Sequence, residues 1–372
     1  MEQKKLNLAV IGVGGRGKET LGGALRENVI AICDTDEAAL TRAMNRCRPE
    51  ARRYTDYRAL LDELHDQLDA VIICTPDHTH FPIAMKAMDY GIHVYCEKPL
   101  AHTIEEVREM TRKAAEKDLI TSMGNQMHVS PNYRRVVEIV QSGGIGEIQE
   151  VHLWCGKGWG GTSVRPDRED PVPASLHWDL WLGDAPKRPY VSKIYHPSNW
   201  RRWWDFGSGT LGDMGCHYMD LVFWALDLKT PDSVRAWGPD LAQQTEMAPL
   251  GLKVEWTFTY KNRPLKVYWY DGEIQPQILE TYGLTKWPGG VFFVGSEGAL
   301  QADYTKRVMA PVEKFRDYKE PEPWIPASPG HFADFFNGIR THTPPPCNFA
   351  YTGPLTETIL MGVEAYRNPK NE

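Results

Sequence analysis

The chain has 372 residues, 42% of them hydrophobic, which is longer than one hydrophobic core usually spans, so two domains are expected. A formal net charge of −7 gives no general attraction to nucleic acid or to anionic membranes, and both are excluded as expected partners. The seven scattered cysteines favour buried thiols in a reducing compartment over a disulfide framework. With no membrane-length apolar run and no signal-peptide core, a cytoplasmic protein is expected unless an export signal has been removed.

The first third of the chain alternates short apolar runs with polar segments of helical character. The apolar runs are 6–11, 29–33, 70–74, 92–96 and 119–123. Because these runs lack polar alternation, they predict strands buried on both faces, as in a parallel sheet covered by helices. Thr103 and Glu106 have the spacing of a capping box and mark the start of one such helix. Residues 1–124 are therefore predicted to form a doubly wound α/β domain.

The hydrophobic period changes to two after a predicted helix at 132–141 and a glycine-rich turn. Alternating segments rich in aromatic residues predict a sheet whose two faces differ, within a second domain at 125–372. These segments are 147–154, 253–260 and 265–270. Every tryptophan lies beyond residue 150, and the densest group lies among Gly and Pro residues, which predicts long loops. Two more helices are predicted at 331–340 and 355–366.

A GxGxxG motif follows the first predicted strand. It consists of Gly12, Gly14, Gly15, Arg16 and Gly17, with Val13 after the first glycine. Gly12 would permit a tight turn, Gly14 would let the backbone approach a pyrophosphate, and Gly17 would let the next helix pack closely. Asp34, about 20 residues further on at a strand end, would accept hydrogen bonds from the ribose of NAD and repel the 2′-phosphate of NADP. The motif predicts dinucleotide binding, with NAD favoured over NADP; the alternative is a glycine-rich turn in an unrelated α/β protein.

Two groups of residues are candidates for catalysis. Lys98 follows the predicted strand at 92–96, at the carboxyl ends of the strands, where ligands usually bind. Asp213 and His217, spaced i and i+4, would share one face of a helix in glycine-rich surroundings. Taken alone, the same residues also fit a surface lysine, an aspartate that caps a helix and a buried structural histidine.

Together these motifs resemble the Gfo/Idh/MocA family, named for glucose–fructose oxidoreductase, inositol dehydrogenase and a rhizopine catabolism protein. The resemblance covers nearly the whole chain and rests on Ala9–Gly14, on Cys74-Thr75-Pro76 with His80, on Glu97-Lys98-Pro99, on the Asp213 and His217 pair, and on Phe293–Gly298. It implies a Rossmann domain followed by an α+β domain with an open-faced mixed, mainly antiparallel sheet. It also implies catalytic roles for Lys98, Asp213 and His217, and a cis peptide bond before Pro99. Further cofactor contacts are expected from Thr75, Pro76, His80 and Glu97.

These catalytic roles follow from the chemistry of alcohol oxidation, in which the hydroxyl proton leaves as hydride departs from the carbon. His217 is predicted to be the base, since imidazole titrates near neutral pH. Lys98 is predicted to stabilise the developing alkoxide, and Asp213 to orient His217 or support its charged form.

The tryptophan-rich stretch offers flat apolar faces beside hydrogen-bonding groups, which suits a carbohydrate or cyclitol ring, although large aromatic residues also fill cores. The predicted substrate contacts are Tyr195, His196, Trp200 and Arg202. No metal site is expected, because the histidines near Asp77 lack the paired spacing of a structural zinc site.

The leading function is an NAD-dependent dehydrogenase acting on a sugar, an inositol or a glycoside. A second possibility keeps NAD bound and uses a transient ketone for epimerisation, elimination or glycoside cleavage. The chain lacks a clear Thr-His-Gly segment, which is associated with the family's glycosidase branch, and has Asp213-Met214-Gly215-Cys216-His217 instead, so the glycosidase form is disfavoured. A third, a non-enzymatic sensor, is disfavoured because all three catalytic candidates are present. Pairing of uncovered sheets would make the protein a homo-oligomer, a dimer or a tetramer.

Overall fold

The computed structural model describes residues 4–162, 164–243 and 246–369, which form two compact units. Unit 1 contains the chain up to Gly124 together with Arg165–Gly207 and Phe332–Gly353. Unit 2 contains Asn125–Val164, Ser208–His331 and the chain from Pro354 onward. Two segments that follow residue 124 in the sequence thus belong to the first unit. Within the described ranges, no helix is long and apolar enough to cross a membrane.

Unit 1 is built on a six-stranded sheet in which every pairing is parallel, with the order β3-β2-β1-β4-β5-β6. Its strands are β1 (Asn7–Ile11), β2 (Asn28–Cys33), β3 (Arg52–Tyr54), β4 (Ala70–Ile73), β5 (His93–Glu97) and β6 (Thr121–Gly124). The five strands predicted from apolar runs are present. The sixth, β3, is a short edge strand with two exposed arginines, which a search for apolar runs does not detect. The doubly wound parallel sheet is confirmed.

Helices connect the parallel strands of unit 1. They are α1 (Gly17–Ala24), α2 (Glu37–Met44), α3 (Tyr57–Leu64), α4 (His80–Asp89) and α5 (Ile104–Glu116). The predicted capping box of α5 is formed, with the Thr103 side chain accepting from the backbone of Glu106 and the Glu106 side chain accepting from the backbone of Thr103. Among its described residues, the predicted loop-rich region in the middle of the chain has two helical elements, the short helix α7 (Trp178–Leu182) and a 3₁₀ turn at Asn199–Arg202.

The core of unit 1 explains why a segment from the end of the chain belongs to it. Tyr95 on β5 stacks on Phe332 with ring centroids 5.0 Å apart, and Phe335 is fully buried in the same cluster. The backbone N–H of Met123 donates to the carbonyl of Cys347 over 2.8 Å. Helices α10 (His331–Thr341) and α11 (Phe349–Arg367) contribute residues to both units.

Unit 2 contains a seven-stranded sheet with the order β13-β12-β11-β7-β10-β9-β8. Its strands are β7 (Ile148–Cys155), β8 (Ser233–Trp237), β9 (Lys253–Tyr260), β10 (Arg263–Asp271), β11 (Gly289–Gly295), β12 (Ala299–Ala302) and β13 (Arg307–Ala310). Only β7 and β10 pair in parallel, and the other neighbours are antiparallel. The predicted mixed, mainly antiparallel sheet is confirmed.

The two faces of this sheet differ, as the alternating pattern predicts. On β9, Val254 and Trp256 are fully buried, whereas Lys253 and Glu255 are half-exposed. The helices of unit 2 are α6 (Pro131–Gln141), α8 (Gly209–Leu226) and the single-turn α9 (Ile278–Thr281). Helix α8 packs against α6 and against β7, β10 and β11, and this packing buries most of its surface.

Candidate active site

The glycine loop after β1 requires two of its glycines for reasons internal to the protein. Gly12 has a φ of +86°, and a Cβ atom there would lie 2.6 Å from the carbonyl carbon and oxygen of Cys74. A Cβ atom at Gly17 would overlap the carbonyl oxygen of Gly12. A side chain at either position would clash with these backbone atoms. Glycine at Gly12 and Gly17 therefore allows the tight turn and the close packing of α1 against it.

Gly14 and Gly15 are not required by the packing in this way. A Cβ atom at Gly14 would meet Asp34 Oδ2 at 3.6 Å and Ala39 at 3.7 Å, which are ordinary contacts, and nothing lies within 4 Å at Gly15. Gly15 and Arg16 are exposed, and no side chain caps the start of α1 at Arg16. Backbone N–H groups at such a helix start attract anions, so the open side of this loop fits a pyrophosphate.

Asp34 follows β2 and lies directly beside the glycine loop. Its Oδ2 accepts hydrogen bonds from the backbone N–H groups of Val13 at 2.9 Å and Gly14 at 3.0 Å, and its Oδ1 accepts from Asp36 at 3.0 Å. Burial raises the pKa of Asp34 above its usual value, although these three hydrogen bonds act in the opposite direction. The Asp34 carboxylate therefore lies against the glycine loop, and its contact with a ribose stays a prediction.

The loops after β4 and β5 are joined by His80, the first residue of α4. Its ring nitrogens lie 2.9 Å from the carbonyl oxygen of Pro99 and 2.8 Å from that of Thr75. Burial lowers the pKa of His80 to about 4, and a neutral ring donates to only one of these carbonyls at a time. His80 therefore ties the two loops together as a structural residue.

The predicted cofactor residues around His80 are positioned as follows. The Thr75 hydroxyl is buried and has no hydrogen-bond partner among the described residues, so it is available to a ligand at the carboxyl end of β4. Glu97 is buried and accepts from the hydroxyls of Thr20 and Tyr95, both at 3.3 Å. Lys98 is half-buried, and the peptide bond between it and Pro99 is cis, as expected.

Helix α8 presents Asp213 and His217 as predicted, on one face. Because the helix begins at Gly209, Asp213 lies inside it, which rules out the alternative of a helix-capping aspartate. Fifteen of the helix's 18 residues are buried, and only Asp213, His217 and Trp224 are partly exposed. A buried helix that keeps two polar residues accessible on one face favours a functional role for them.

Partners distant in sequence hold these two side chains. The indole N–H of Trp159 donates to Asp213 Oδ2 over 2.7 Å, and the backbone N–H of Trp159 donates to the Thr210 hydroxyl over 2.7 Å. His217 Nδ1 lies 2.8 Å from Oδ1 of Asn125, so the contact that orients the ring at this nitrogen comes from Asn125. An influence of Asp213 on the charge of His217 stays a prediction.

Sequence reasoning did not identify Trp159 or Asn125. Asn125 carries one available signal, because it is a polar residue two positions after the last predicted strand of the first domain, 119–123. Trp159 follows Gly156 and Gly158 and is not distinguished from the other tryptophans by its sequence context.

The four predicted substrate residues all lie in the Arg165–Gly207 segment of unit 1, and two of them serve packing. Tyr195 is fully buried, with its ring 5.2 Å from that of Trp203, and Trp200 is buried beneath the guanidinium of Arg201 at 4.4 Å. His196 and Arg202 are half-buried. Burial lowers the pKa of His196, and Nε of Arg202 has no hydrogen-bond partner among the described residues.

The histidines near Asp77 have structural contacts. His78 Nε2 lies 3.1 Å from the carbonyl oxygen of Trp181, and burial lowers the pKa of His78 to about 3. In the part of the chain that the structure describes, no group of three or more His, Cys, Asp or Glu residues is arranged to hold a metal ion.

Comparison with protein families gives two matches along the chain. Residues 6–125 match a family described as an oxidoreductase family with an NAD-binding Rossmann fold. Residues 136–273 match the C-terminal alpha/beta domain of an oxidoreductase family.

Two curated proteins illustrate the similarity in sequence. A 2,7-anhydro-N-acetylneuraminate hydratase of Mediterraneibacter gnavus is 28% identical over 160 residues, which is 42% of this chain and 41% of that protein. Glycosyl hydrolase family 109 protein 1 of Shewanella sp. (strain MR-4) is 35% identical over 158 residues, 38% of this chain and 33% of that protein. The matched part is therefore less than half the length of either relative.

Solved structures share the fold over nearly the whole chain. The WlbA dehydrogenase from Bordetella pertussis, in complex with NADH and UDP-GlcNAcA, has a TM-score of 0.70 at 17% identity and covers 99% of this chain and 98% of its own. GenD2 from gentamicin A biosynthesis, in complex with NAD, has a TM-score of 0.66 at 18% identity and covers 100% of this chain and 96% of its own. At such identities the likeness establishes the fold.

Proposed function

Because the chain belongs to the Gfo/Idh/MocA family of oxidoreductases and carries its NAD-binding Rossmann domain, we propose that it interconverts a ring hydroxyl and a ketone of a sugar, an inositol or a glycoside. The observation that carries the proposal is the exposure pattern of α8. Of its 18 residues, all but three are buried, and the partly exposed ones include the predicted Asp213 and His217 one turn apart. A base and a carboxylate kept accessible in this way fit the chemistry of alcohol oxidation.

The cofactor contacts follow from the loop geometry of unit 1. The open side of Gly14, Gly15 and Arg16 with the start of α1 would hold the pyrophosphate, and Asp34 would hold the ribose of the adenosine. The negative charge of Asp34 favours NAD over NADP, because a 2′-phosphate beside it would be repelled. Thr75 would offer its hydroxyl to the cofactor. Pro76 and Glu97 are proposed as further cofactor contacts. The hydride-transfer chemistry would be supplied by NAD bound at these residues.

The protein's own residues would manage the proton and the charge on the substrate oxygen. His217 would take the hydroxyl proton in oxidation and return it in reduction. The ammonium of Lys98 would stabilise the negative charge that develops on that oxygen. Asp213, held by the indole N–H of Trp159, would supply a fixed negative charge one helical turn from His217.

The proposed substrate class draws on the relatives as well. One similar structure contains UDP-GlcNAcA, and one similar curated protein is named as a hydratase of 2,7-anhydro-N-acetylneuraminate, so carbohydrate derivatives are the class we propose. His196 and Arg202 remain the better of the predicted substrate contacts, because they are half-buried whereas Tyr195 and Trp200 pack in the interior.

A second candidate uses the same residues but keeps NAD bound throughout. Transient oxidation to a ketone acidifies the neighbouring C–H bond, so elimination, epimerisation or glycoside cleavage can follow before the hydride returns. The names of the curated relatives, a hydratase and a glycosyl hydrolase family 109 protein, favour this candidate over a sensor without activity. The Gly215-Cys216-His217 segment, which departs from the Thr-His-Gly pattern, disfavours its glycosidase form.

The absorbance of reduced nicotinamide distinguishes these functions. Protein stripped of cofactor is mixed with NAD or NADP and a panel of sugars, inositols and glycosides, with Lys98→Met as the inactive control. A steady NAD-linked rise, lost in Lys98→Met, supports a dehydrogenase with a dissociable cofactor. Protein that retains nicotinamide and converts a substrate without net reduction supports the closed redox cycle. Absence of any turnover, with NAD and a sugar still bound, supports a sensor.

We also propose that the protein is a homo-oligomer. Trp237 on β8 is 46% exposed, and the Lys253 ammonium lies 5.2 Å above its ring on the same, less buried face of the sheet. Pairing of this face with a second copy would cover an aromatic surface. Sedimentation at working concentration should give a mass of two or four chains, and a monomer would contradict the proposal.

A further inference from the structure

Asn125 occupies a fully buried position directly after β6 and bonds to two consecutive residues of α8. Its Nδ2 donates to the carbonyl oxygen of Cys216 over 3.2 Å, and its Oδ1 lies 2.8 Å from Nδ1 of His217. One short side chain therefore touches both the backbone of α8 and the ring of the proposed base.

The chemistry of these contacts fixes the orientation of the amide. A carbonyl oxygen only accepts hydrogen bonds, so the amide nitrogen of Asn125 must face Cys216. The opposite orientation would place the amide oxygen against the oxygen of Cys216. The amide oxygen consequently faces His217, and because it too only accepts, Nδ1 of His217 must carry a hydrogen.

From this geometry we infer that Asn125 holds the neutral ring of His217 in the Nδ1–H tautomer and thereby makes Nε2 the nitrogen that exchanges the substrate proton. The tautomer follows from the contacts alone, whereas the role of Nε2 rests on the proposed function. Asn125 is in this sense a positioning residue, since it acts through His217.

The surroundings of His217 support a fixed ring. The hydroxyl of Tyr133, which is fully buried, donates to the backbone carbonyl of His217 over 3.2 Å, so the base is held at its backbone as well as at its ring. Titratable groups near it in the described part of unit 2 include Asp213 on the preceding turn and the phenols of Tyr133 and Tyr304, with the Tyr304 ring centroid 6.4 Å from that of His217. Asp220, on the following turn of α8, is engaged by His128 at 2.9 Å.

An amide suits a reversible reaction better than a carboxylate at this position. It orients the ring through a neutral hydrogen bond, but it adds no negative charge that would stabilise the imidazolium and delay return of the proton. A base that works in both directions needs to gain and lose its proton with similar ease.

Nitrogen NMR of the wild-type protein tests the tautomer without any substrate. The chain has 12 histidines, so the protein is labelled with ¹⁵N in the histidine rings and the signals of His217 are assigned by their loss in His217→Gln. At a pH where the ring is neutral, we expect Nδ1 to give the shift of a protonated nitrogen and Nε2 that of an unprotonated one. The reverse pattern, or a fast average of the two, would overturn the inference.

Variants test the consequence for turnover. Asn125→Leu removes both hydrogen bonds at similar volume, and kcat is expected to fall by about 10²-fold with KM changed much less, because a base in the wrong tautomer loses most of its contribution. Asn125→Asp keeps an acceptor but adds a charge, and the acidic limb of the kcat profile is expected to move about one pH unit or more upward.

The matched control is Asn132→Leu. Asn132 is also buried in unit 2 and donates to the carbonyls of Asp303 and Lys306, so its loss carries a similar stability cost without touching His217. An equal fall of kcat in both leucine variants, with no shift of the acidic limb in Asn125→Asp, would show that Asn125 is merely structural. If the NMR result is as expected and no substrate is turned over, the proposed function fails and the tautomer stands.

Discussion

Helices α1 and α8 both begin beside glycine-rich segments, yet they prepare their sites in opposite ways. At the start of α1 the proposed binding surface is the backbone, because Gly15 is exposed and no side chain caps the helix. In α8 most residues are buried, and the proposed function depends on the two side chains of Asp213 and His217. The start of α1 is open because its glycines have no side chains. The two polar side chains of α8 are held by residues distant in the sequence.

The sequence separation of the supporting contacts shows the same difference. Gly17 at the start of α1 is restricted by Gly12, five residues earlier in the chain, although Gly12 is itself restricted by the distant Cys74. The partner of Asp213, Trp159, is 54 residues away, and that of His217, Asn125, is 92 residues away. A site formed by backbone groups can therefore be recognised in the sequence as a local motif. A site formed by side chains depends on contacts between residues that are far apart in the chain.

Loss of the base on α8 should have the largest effect. His217→Gln removes proton transfer, which typically contributes 10²–10⁴-fold to catalysis, so kcat is expected to fall within about that range while NAD affinity is unchanged. Steady-state kinetics and fluorescence titration with NAD check this, with the exposed His342→Gln as the control. Full turnover in His217→Gln would contradict the proposed catalytic role of this side chain of α8.

A methyl group at Gly14 should separate ligand binding from folding in the α1 loop. Gly14→Ala makes only ordinary contacts within the protein, so its melting temperature should stay close to that of the wild type. NAD affinity should fall by about ten-fold or more, since the methyl group would lie beside the Asp34 carboxylate, in space that the proposed dinucleotide site needs. Gly12→Ala, with its φ of +86° and its 2.6 Å approach to Cys74, should instead destabilise the fold. Unchanged affinity in Gly14→Ala would place the pyrophosphate elsewhere.

The hydrogen bond from Trp159 to Asp213 tests the dependence of α8 on distant partners. Trp159→Phe keeps an aromatic ring but removes the indole N–H, and hydrogen bonds to charged groups contribute about 1.5–3 kcal/mol. We expect kcat/KM to fall by about ten-fold with NAD affinity unchanged. Trp324→Phe, at an exposed position of the same unit, should behave as the wild type. If both variants have the same kcat/KM, Trp159 has no role in the proposed active site.

The smallest expected effect is a pH dependence of NAD binding through Asp34. An ordinary aspartate has a pKa of about 4. Burial raises the pKa of the Asp34 carboxyl above that value, so Asp34 takes up a proton at a higher pH. The ribose contact needs the ionised form, so NAD affinity should be full above the raised pKa and should decline as the pH falls through it. Titration calorimetry across this range should show the decline in the wild type and a flat, weaker profile in Asp34→Asn. A decline of the same size in Asp34→Asn would assign it to another group.

Much of the fold could be predicted from local patterns. The five continuous apolar runs, the capping box at Thr103 and the alternation along β9 all specify structure through neighbours within a few residues, and all three are confirmed. The edge strand β3 was missed because its arginines face solvent and leave no apolar run. The tryptophan-rich stretch was correctly predicted to be loop-rich, but its composition did not distinguish the buried Trp200 from a surface that binds a ligand.

Local motifs were enough to identify the family, the parallel and mixed sheets, and the glycine loop, because short stretches of chain carry the steric and hydrophobic patterns on which these assignments rest. The side chains that support Asp213 and His217, and the aromatic residues that fill a core, could be identified only from the folded structure. These outcomes depend on where buried polar groups find partners, and burial obliges Asn125 to satisfy its hydrogen bonds with whichever groups the folded chain brings to it.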